Sequence, residues 1–168
     1  MKKFLLDTSC FIDSKNQFYP FDFAPSFWKQ LSQFIQDGSI LIHEAVYAEL
    51  VKGDDELKDW ANKNISSYKI SGSDLKSMLA LRQVLDHVAE CGYYNDAALH
   101  KWSNEAADPQ LIASALVNGA VIVTFEKSKG SRDTARKGSN PKIPDVAKDL
   151  GVETINLYAM MRILKFRL

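Results

Sequence analysis

The segment DPQLIASALVNGAVIVT, which runs from Asp108 to Thr124, joins a helix pattern to a strand pattern with no linker between them. Asp108 followed by Pro109 is typical of a helix start, because an acidic N-cap is often followed by proline at the first helical position. An Asn-Gly pair ends the helix, and residues 120–124 form a continuous apolar run. Such runs are typical of parallel strands covered on both faces, so this segment predicts an α/β fold.

The rest of the chain repeats this alternation of strand and helix patterns. Residues 3–7, 39–42 and 151–155 are predicted as short strands, and apolar residues recur at helical spacing between them. The alternation predicts a mainly parallel central sheet flanked by helices in three α/β/α layers. No internal repeat or linker divides the 168 residues, so we expect a single domain over residues 1–168.

The composition is that of an ordinary soluble globular protein, with 46% hydrophobic and 25% charged residues. Cys10 and Cys91 have no CxxC spacing, so neither a disulfide framework nor a zinc site is predicted, and a reducing cytoplasm is the expected location. The apolar run Phe4-Leu5-Leu6 is too short for a secretion signal. No stretch approaches about 18 consecutive apolar residues, so no membrane span is expected.

Charge is distributed unevenly although the formal net charge is zero. Residues 127–142 contain six basic residues and one acid, which gives this glycine- and serine-rich segment a charge of +5. Residues 44–59 contain six acids and two lysines, a charge of −4. Such asymmetry concerns partners rather than fold, and a basic segment favours a polyanion.

Four acidic residues lie where a parallel α/β fold would bring them together. Asp7 and Glu126 follow predicted strands, and Asp108 opens a predicted helix. Glu49 lies inside a helix that begins at the end of a strand. Ligands of open parallel sheets bind beyond the carboxyl ends of the strands. Gathered carboxylates repel one another unless hard cations lie between them, so we predict a catalytic Mg²⁺ or Mn²⁺ centre that acts on phosphate esters.

Each acid also has a simpler structural explanation. Asp7 and Asp108 are good helix caps by residue type. Glu49 would then be a solvated helix residue, and Glu126 the first charge of a surface loop. Hydroxyl side chains near the acids are predicted either to hold the carboxylates in place or to cap helices and end strands. These hydroxyl residues are Thr8, Ser9 and Thr124.

The chain resembles the PIN-domain family of metal-dependent ribonucleases. Leu5-Leu6-Asp7-Thr8-Ser9 matches the family's first strand ending in Asp, and Val46-Tyr47-Ala48-Glu49-Leu50 matches its helical Glu. Ala107 to Ala115 matches its Asp that opens an Ala-rich helix, and Val121 to Glu126 matches its last strand followed by Thr-x-Asp. Together the four pieces, in order, cover nearly the whole chain. Two features depart from the pattern. Glu126 stands where the family more often has Asp, and both the aromatic stretch, residues 18–23, and the basic loop, residues 127–142, are larger than in the shortest members.

The resemblance implies a PIN-like domain that hydrolyses RNA with a metal-activated water and needs no protein nucleophile. It also implies similarity to VapC-type toxins, with a cognate antitoxin and a homodimer as expected partners. The aromatic stretch is predicted to pack in the core or against a partner, with base stacking as the alternative. Basic loop residues are predicted to attract RNA, the alternative being a solvated loop: Lys127, Lys129, Arg132, Arg136 and Lys137.

Two other classes of function stay open at this stage. One is a degenerate PIN-like module that binds RNA or a protein without cutting. The other is a different Mg²⁺-dependent phosphoryl-transfer domain, such as a phosphatase or a receiver-like module. A phosphatase of this kind would need a second Asp two residues after Asp7, where this chain has Ser9. Asp145 is predicted to be a cap or a surface charge.

Overall fold

The chain forms a four-stranded, all-parallel sheet in the order β2-β1-β3-β4, which confirms the predicted α/β fold. A computed structural model describes residues 1–104 and 107–168. In the central pair, Leu5 of one strand lies beside Ile122 of the other. The strands are short: β1 Phe4–Leu6, β2 Ile40–Leu41, β3 Val121–Val123 and β4 Thr154–Ile155.

The two central strands are covered on both faces. All three residues of β1 are buried, and so are all three of β3. Successive side chains of a strand point to opposite faces, so burial of the whole strand requires packing on each side. The flanking helices provide it, and the continuous apolar runs of the sequence are explained by this burial.

The helices begin and end close to the predicted boundaries. Gly119 ends the long helix before β3 with a left-handed backbone, φ 59°, which glycine adopts without steric cost. A π-helical turn covers Ser14–Phe18. The α-helices of the described ranges are α1 Thr8–Asp13, α2 Pro25–Gln36, α3 Glu44–Leu50, α4 Glu56–Asn64, α5 Leu75–Glu90, α6 Asp96–Asn104, α7 Asp108–Asn118, α8 Ile143–Asp149 and α9 Leu157–Ile163.

Two predicted helix caps are wrong. Ser9 lies inside α1, and Asp7 holds the N-cap position instead, although its carboxylate makes no capping hydrogen bond. Asp108 is the first residue of α7, because the amide of Leu111 donates to the carbonyl of Ala107 and makes Ala107 the N-cap. The carboxylates of Asp7 and Asp108 therefore do not serve as helix caps.

The aromatic stretch after α1 packs against α2, as predicted. Tyr19 stacks on Phe27 with ring centroids 4.4 Å apart, and Phe21 stacks on Trp28 at 4.1 Å. Phe23 is 84% exposed, and Phe18 is 39% exposed and packs against Phe125 and Tyr158 instead of α2. Tyr19 and Phe21 are thus the aromatic residues of this stretch that pack on α2. Across the described residues, no helix combines the length and the apolar character that crossing a membrane requires.

Candidate functional site

Asp7 lies at the carboxyl end of the two central strands. Its amide donates to the carbonyl of Val123 at 2.9 Å, which continues the pairing of β1 with β3 by one residue. The side chain of Thr124, the residue after β3, is therefore beside that of Asp7. Parallel pairing thus produces the predicted meeting of strand ends.

Hydroxyl groups hold the Asp7 carboxylate in place. Ser9 Oγ donates to Asp7 Oδ2 at 2.6 Å, and Thr124 Oγ1 donates to the same oxygen at 2.8 Å. In the described part of the chain, no group donates to Oδ1. Asp7 is only 9% exposed, so a buried carboxylate presents one oxygen that receives no hydrogen bond from the described residues. Such an oxygen is suited to bind a cation.

The same hydroxyls bind the chain after β3. Thr124 Oγ1 accepts a hydrogen bond from the amide of Glu126 at 2.9 Å, and Ser9 Oγ accepts one from the amide of Phe125 at 3.2 Å. On the other side of Asp7, Thr8 Oγ1 donates to Glu49 Oε2. The three predicted hydroxyl residues therefore connect Asp7 with Glu49 and with the backbone of Glu126.

Asp108 shows the strongest electrostatic effect among the four acids. Burial, followed by the negative charges of three other carboxylates, raises its pKa to about 7. The contributing carboxylates are, in decreasing order, Asp7, Glu126 and Glu49. These are the other three acids predicted from the sequence, and their negative charges all act on the Asp108 carboxylate.

Glu126 differs from the other three acids because the protein already neutralises it. Lys142 Nζ lies 3.1 Å from Glu126 Oε1, and the amide of Ile143 donates to Oε2 at 2.6 Å. Ile143 is the first residue of α8, so Glu126 also satisfies a free amide at that helix start. Glu126 thus joins the two ends of the basic loop.

The donor set fits a hard cation. Carboxylate and hydroxyl oxygens surround Asp7, and Mg²⁺ prefers such ligands together with several waters. Within residues 1–104 and 107–168, no three His, Cys, Asp or Glu side chains lie close enough to enclose an ion by themselves. The side-chain oxygens are thus of the type that binds Mg²⁺ or Mn²⁺, and an ion held here would need water for much of its coordination.

The basic loop is fixed to the protein by Arg132. Its guanidinium forms two hydrogen bonds to Asp149, at 2.6 and 2.7 Å, and lies over the ring of Tyr93 at 4.4 Å. This pairing raises the pKa of Arg132 further, and it lowers the pKa of Asp149, to which His87 Nε2 also lies within 2.8 Å. Arg132 therefore faces an internal partner. Exposed basic side chains of the loop are Lys127, Lys129, Arg136 and Lys137.

Asp145 is a structural residue that the sequence did not reveal. It is 5% exposed, and its carboxylate accepts hydrogen bonds from Ser128 Oγ and from the amide of Lys129 at 3.0 Å. Gly138, further along the loop, pairs with the segment after α5, since its amide donates to the carbonyl of Tyr93 at 2.9 Å. The prediction of Asp145 as a cap or surface charge is wrong, because its partners lie 16 and 17 residues away.

Two clefts flank the acids along the edge of the sheet. The α3 cleft, about 520 Å³, lies on the β2 side and is lined by Glu49, Lys52 and Lys69 among others. The β3–β4 cleft, about 320 Å³, lies on the other side and includes Thr124 and Glu126. Asp7 follows β1, which lies between β2 and β3, so the sheet order places it between the clefts.

The sequence of residues 4–168 matches the model of the family described as Domain of unknown function (DUF4411). The chain belongs to this family. No curated protein matches it.

For this member of DUF4411, sequence patterns identified the acids and the hydroxyls but not the residues that order the loop. Asp145 and Asp149 follow Pro144 in an unremarkable short helix, and their partners come from α5 and from the loop. The only available signal was the charge of +5 in residues 127–142, which requires some compensating acids nearby.

Proposed function

We propose that this protein is a Mg²⁺- or Mn²⁺-dependent endoribonuclease with a PIN-like active site. The observation that carries the proposal is the raised pKa of Asp108, to which Asp7, Glu126 and Glu49 contribute. A buried carboxylate whose charge is disfavoured by neighbouring carboxylates, at the carboxyl edge of a parallel sheet, is stabilised when a cation binds beside it. The four-motif resemblance to PIN domains supports RNA as the substrate.

Under this proposal, Asp7 and Asp108 would hold the metal directly, and Glu49 would complete the oxygen ligands directly or through water. When bound, the metal supplies a water of lowered pKa and neutralises charge on the phosphate. Ser9 and Thr124 keep Asp7 in one orientation by donating to its Oδ2. Glu126 would act from an outer position, since Lys142 and the amide of Ile143 occupy its oxygens.

The exposed loop lysines and arginine would draw the RNA backbone to this centre. Lys127 follows Glu126 directly, which brings positive charge to the edge of the acidic site. Affinity that depends on such charges falls as the salt concentration rises. We expect Lys127, Lys129, Arg136 and Lys137 to contact phosphates, whereas Arg132 supports the shape of the loop.

A role as the toxin of a toxin–antitoxin pair, with a cognate antitoxin and a homodimer, follows from the resemblance to VapC-type proteins and is proposed on that ground alone. We place the reaction in the cytoplasm. Cys10 and Cys91 are free thiols, which suits a reducing compartment.

The decisive experiment is cleavage of mixed cellular RNA in the presence of Mg²⁺ or Mn²⁺. We expect the wild type to cleave, EDTA to stop cleavage, and Asp7→Asn and Asp108→Asn each to reduce the rate by about a thousand-fold, equivalent to about 4 kcal/mol. Asp54→Asn is the matched control, because its carboxylate is fully exposed. Cleavage that survives EDTA or either site substitution would contradict the proposed mechanism.

One observation favours a second candidate, a non-cutting PIN-like module that binds RNA or a protein. Lys142 already neutralises Glu126, as expected if the site had lost its need for a cation there. Wild-type protein that neither cleaves RNA nor binds Mn²⁺ by calorimetry would favour this candidate over the ribonuclease.

A further inference from the structure

The β3–β4 cleft begins at the candidate metal centre and leads away from it. Thr124, whose hydroxyl donates to Asp7, lines this cleft, and so does Glu126. From there it reaches Asn156 and Tyr158, beyond the end of β4. Its volume of about 320 Å³ is within the range of about 300–1,000 Å³ found for small-molecule sites.

The cleft contains an aromatic cluster. Phe125 and Tyr158 line it, with ring centroids 5.9 Å apart. Phe18 packs against both rings, at 5.2 Å from Phe125 and 5.9 Å from Tyr158, and is itself 39% exposed. Phe125 and Tyr158 are only partly buried, so ring surface stays accessible from solvent.

A cation accompanies these rings. Lys127 lines the same cleft and is exposed, and it takes part in none of the ion pairs found in the described ranges. Aromatic rings beside a lysine are the combination with which proteins bind single-stranded nucleic acid, since the rings stack on a base while the ammonium binds a phosphate.

The α3 cleft has a single aromatic ring instead of a cluster among its described lining residues. Tyr47 is the aromatic residue that lines it, and Lys69 Nζ lies over the Tyr47 ring at 4.9 Å. Lys69 therefore covers one face of this ring. The two clefts therefore offer different surfaces to one strand that crosses the acids.

We propose that the β3–β4 cleft holds one unpaired base of a single-stranded RNA, stacked on Phe125 and Tyr158, with an adjoining phosphate at Lys127. The proposal rests on the proposed ribonuclease function and specifies its substrate as single-stranded. A duplex does not fit, because its bases are already stacked on their neighbours and cannot enter a cleft without being extruded.

Binding of a short, unstructured, fluorescein-labelled RNA in EDTA tests the cleft without cleavage. We expect Tyr158→Leu and Phe125→Leu each to weaken binding by about ten-fold, the effect of losing one stacked base. Tyr158→Phe keeps the ring and should bind like the wild type. Phe23→Leu is the control for an exposed aromatic residue outside the cleft. The same strand annealed to its complement should bind at least about ten-fold more weakly.

A second measurement does not depend on the folding of any variant. RNA with 2-aminopurine at successive positions should lose fluorescence at one position when wild-type protein is added, because stacking on an aromatic ring quenches this base. Absence of quenching at every position would overturn the proposal, as would unchanged affinity of both leucine variants or equal affinity for the duplex.

Parallel cleavage assays with Mn²⁺ separate the two proposals. RNA cleavage by the wild type together with unaffected binding by the leucine variants would reject the base site and keep the ribonuclease. Ring-dependent binding to single strands with no cleavage would reject the ribonuclease and keep the base site.

Discussion

Two groups of carboxylates in this protein have different surroundings. In α8, Asp149 is paired with Arg132 and lies beside His87, and Asp145 accepts hydrogen bonds from Ser128 and Lys129. At the sheet edge, Asp7 is held by neutral hydroxyls, and neither Asp7 nor Asp108 takes part in a salt bridge of the described residues. The α8 carboxylates have internal partners. Asp7 and Asp108 have no cationic partner among the described residues, and Glu126 is the one acid of the edge that is paired, with Lys142.

Under the proposed function, this difference separates structural acids from acids that bind a metal ion. The pKa of Asp149 is lowered, chiefly by its hydrogen bonds from Arg132, so its charge stabilises the folded chain. The pKa of Asp108 is raised, chiefly by burial, so its charge destabilises the metal-free fold. Unfavourable buried charges of this kind are found mainly at functional sites, where a bound ion stabilises them.

The largest expected effect is an opposite pH dependence of the two groups in metal-free protein. Folded Asp108 keeps its proton up to about pH 7, whereas the unfolded chain releases it near its ordinary pKa of 3.8. The folded state binds more protons between these values, so Asp108 should remove up to about 4 kcal/mol of stability as pH rises. Urea denaturation in EDTA at about pH 5 and about pH 8 should detect about 3 kcal/mol of this loss, because the unfolded carboxyl is already ionised at about pH 5. Asp108→Asn should gain stability at the higher pH.

Asp149 provides the opposite sign for the same measurement. Its folded pKa lies below the unfolded value, so its stabilising effect is present above the unfolded pKa and is lost as pH falls through the folded one. Asp149→Asn should therefore lose stability at neutral pH. If Asp108→Asn and Asp149→Asn changed the free energy of unfolding in the same direction at about pH 8, the two groups of acids would not differ as described.

The second prediction concerns Mn²⁺ affinity. We expect Asp7→Asn to weaken Mn²⁺ binding by more than about 100-fold, since residues that only orient a ligand typically contribute about 10–100-fold. Asp149→Asn should leave binding unchanged, because Arg132 already neutralises that carboxylate. Titration calorimetry of the two variants under identical conditions provides the test. Similar losses in both would assign the metal effect to overall charge rather than to the edge site.

The third prediction concerns Asp145. Asp145→Ala removes the acceptor for Ser128 Oγ and the amide of Lys129, and leaving such groups without a partner should cost about 1–3 kcal/mol. Urea denaturation measures the change. Asp54→Ala is the matched control, since Asp54 is fully exposed and surface ion pairs such as that with Lys58 contribute less than about 1 kcal/mol. Equal stability of the two variants would show that the loop does not depend on its buried acid.

The smallest effect separates two exposed cations of the loop, Arg136 and Lys137, from Arg132, which is paired with Asp149. Changing Arg136 and Lys137 together to Gln should reduce the salt dependence of RNA binding by up to about 1.4 units of slope, about 0.7 for each lost contact with single-stranded phosphate. Arg132→Gln should leave the slope unchanged, because Arg132 is bound to Asp149. If Arg132→Gln changed the slope more than the double Arg136 and Lys137 variant, the assignment of the phosphate contacts to Arg136 and Lys137 would be wrong.

Much of the candidate site followed from local patterns. Asp7 comes directly after an apolar run and Thr124 ends another, so parallel pairing of those runs was enough to bring them together. The structural roles of Arg132 and Asp145 could not be predicted. A charged residue has the same local sequence whether it faces solvent, RNA or a buried partner. The partner of Arg132 lies 17 residues further along the chain, at the end of a different element.

The sequence alone determined the parallel α/β fold and the choice of four acids, since periodicity and strand ends are local properties of the chain. Only the tertiary structure decided how those acids differ. Burial beside three other carboxylates raises the pKa of Asp108, while Lys142 neutralises Glu126. The physical reason is that charge energies depend on distance and burial through space, which residue order does not specify.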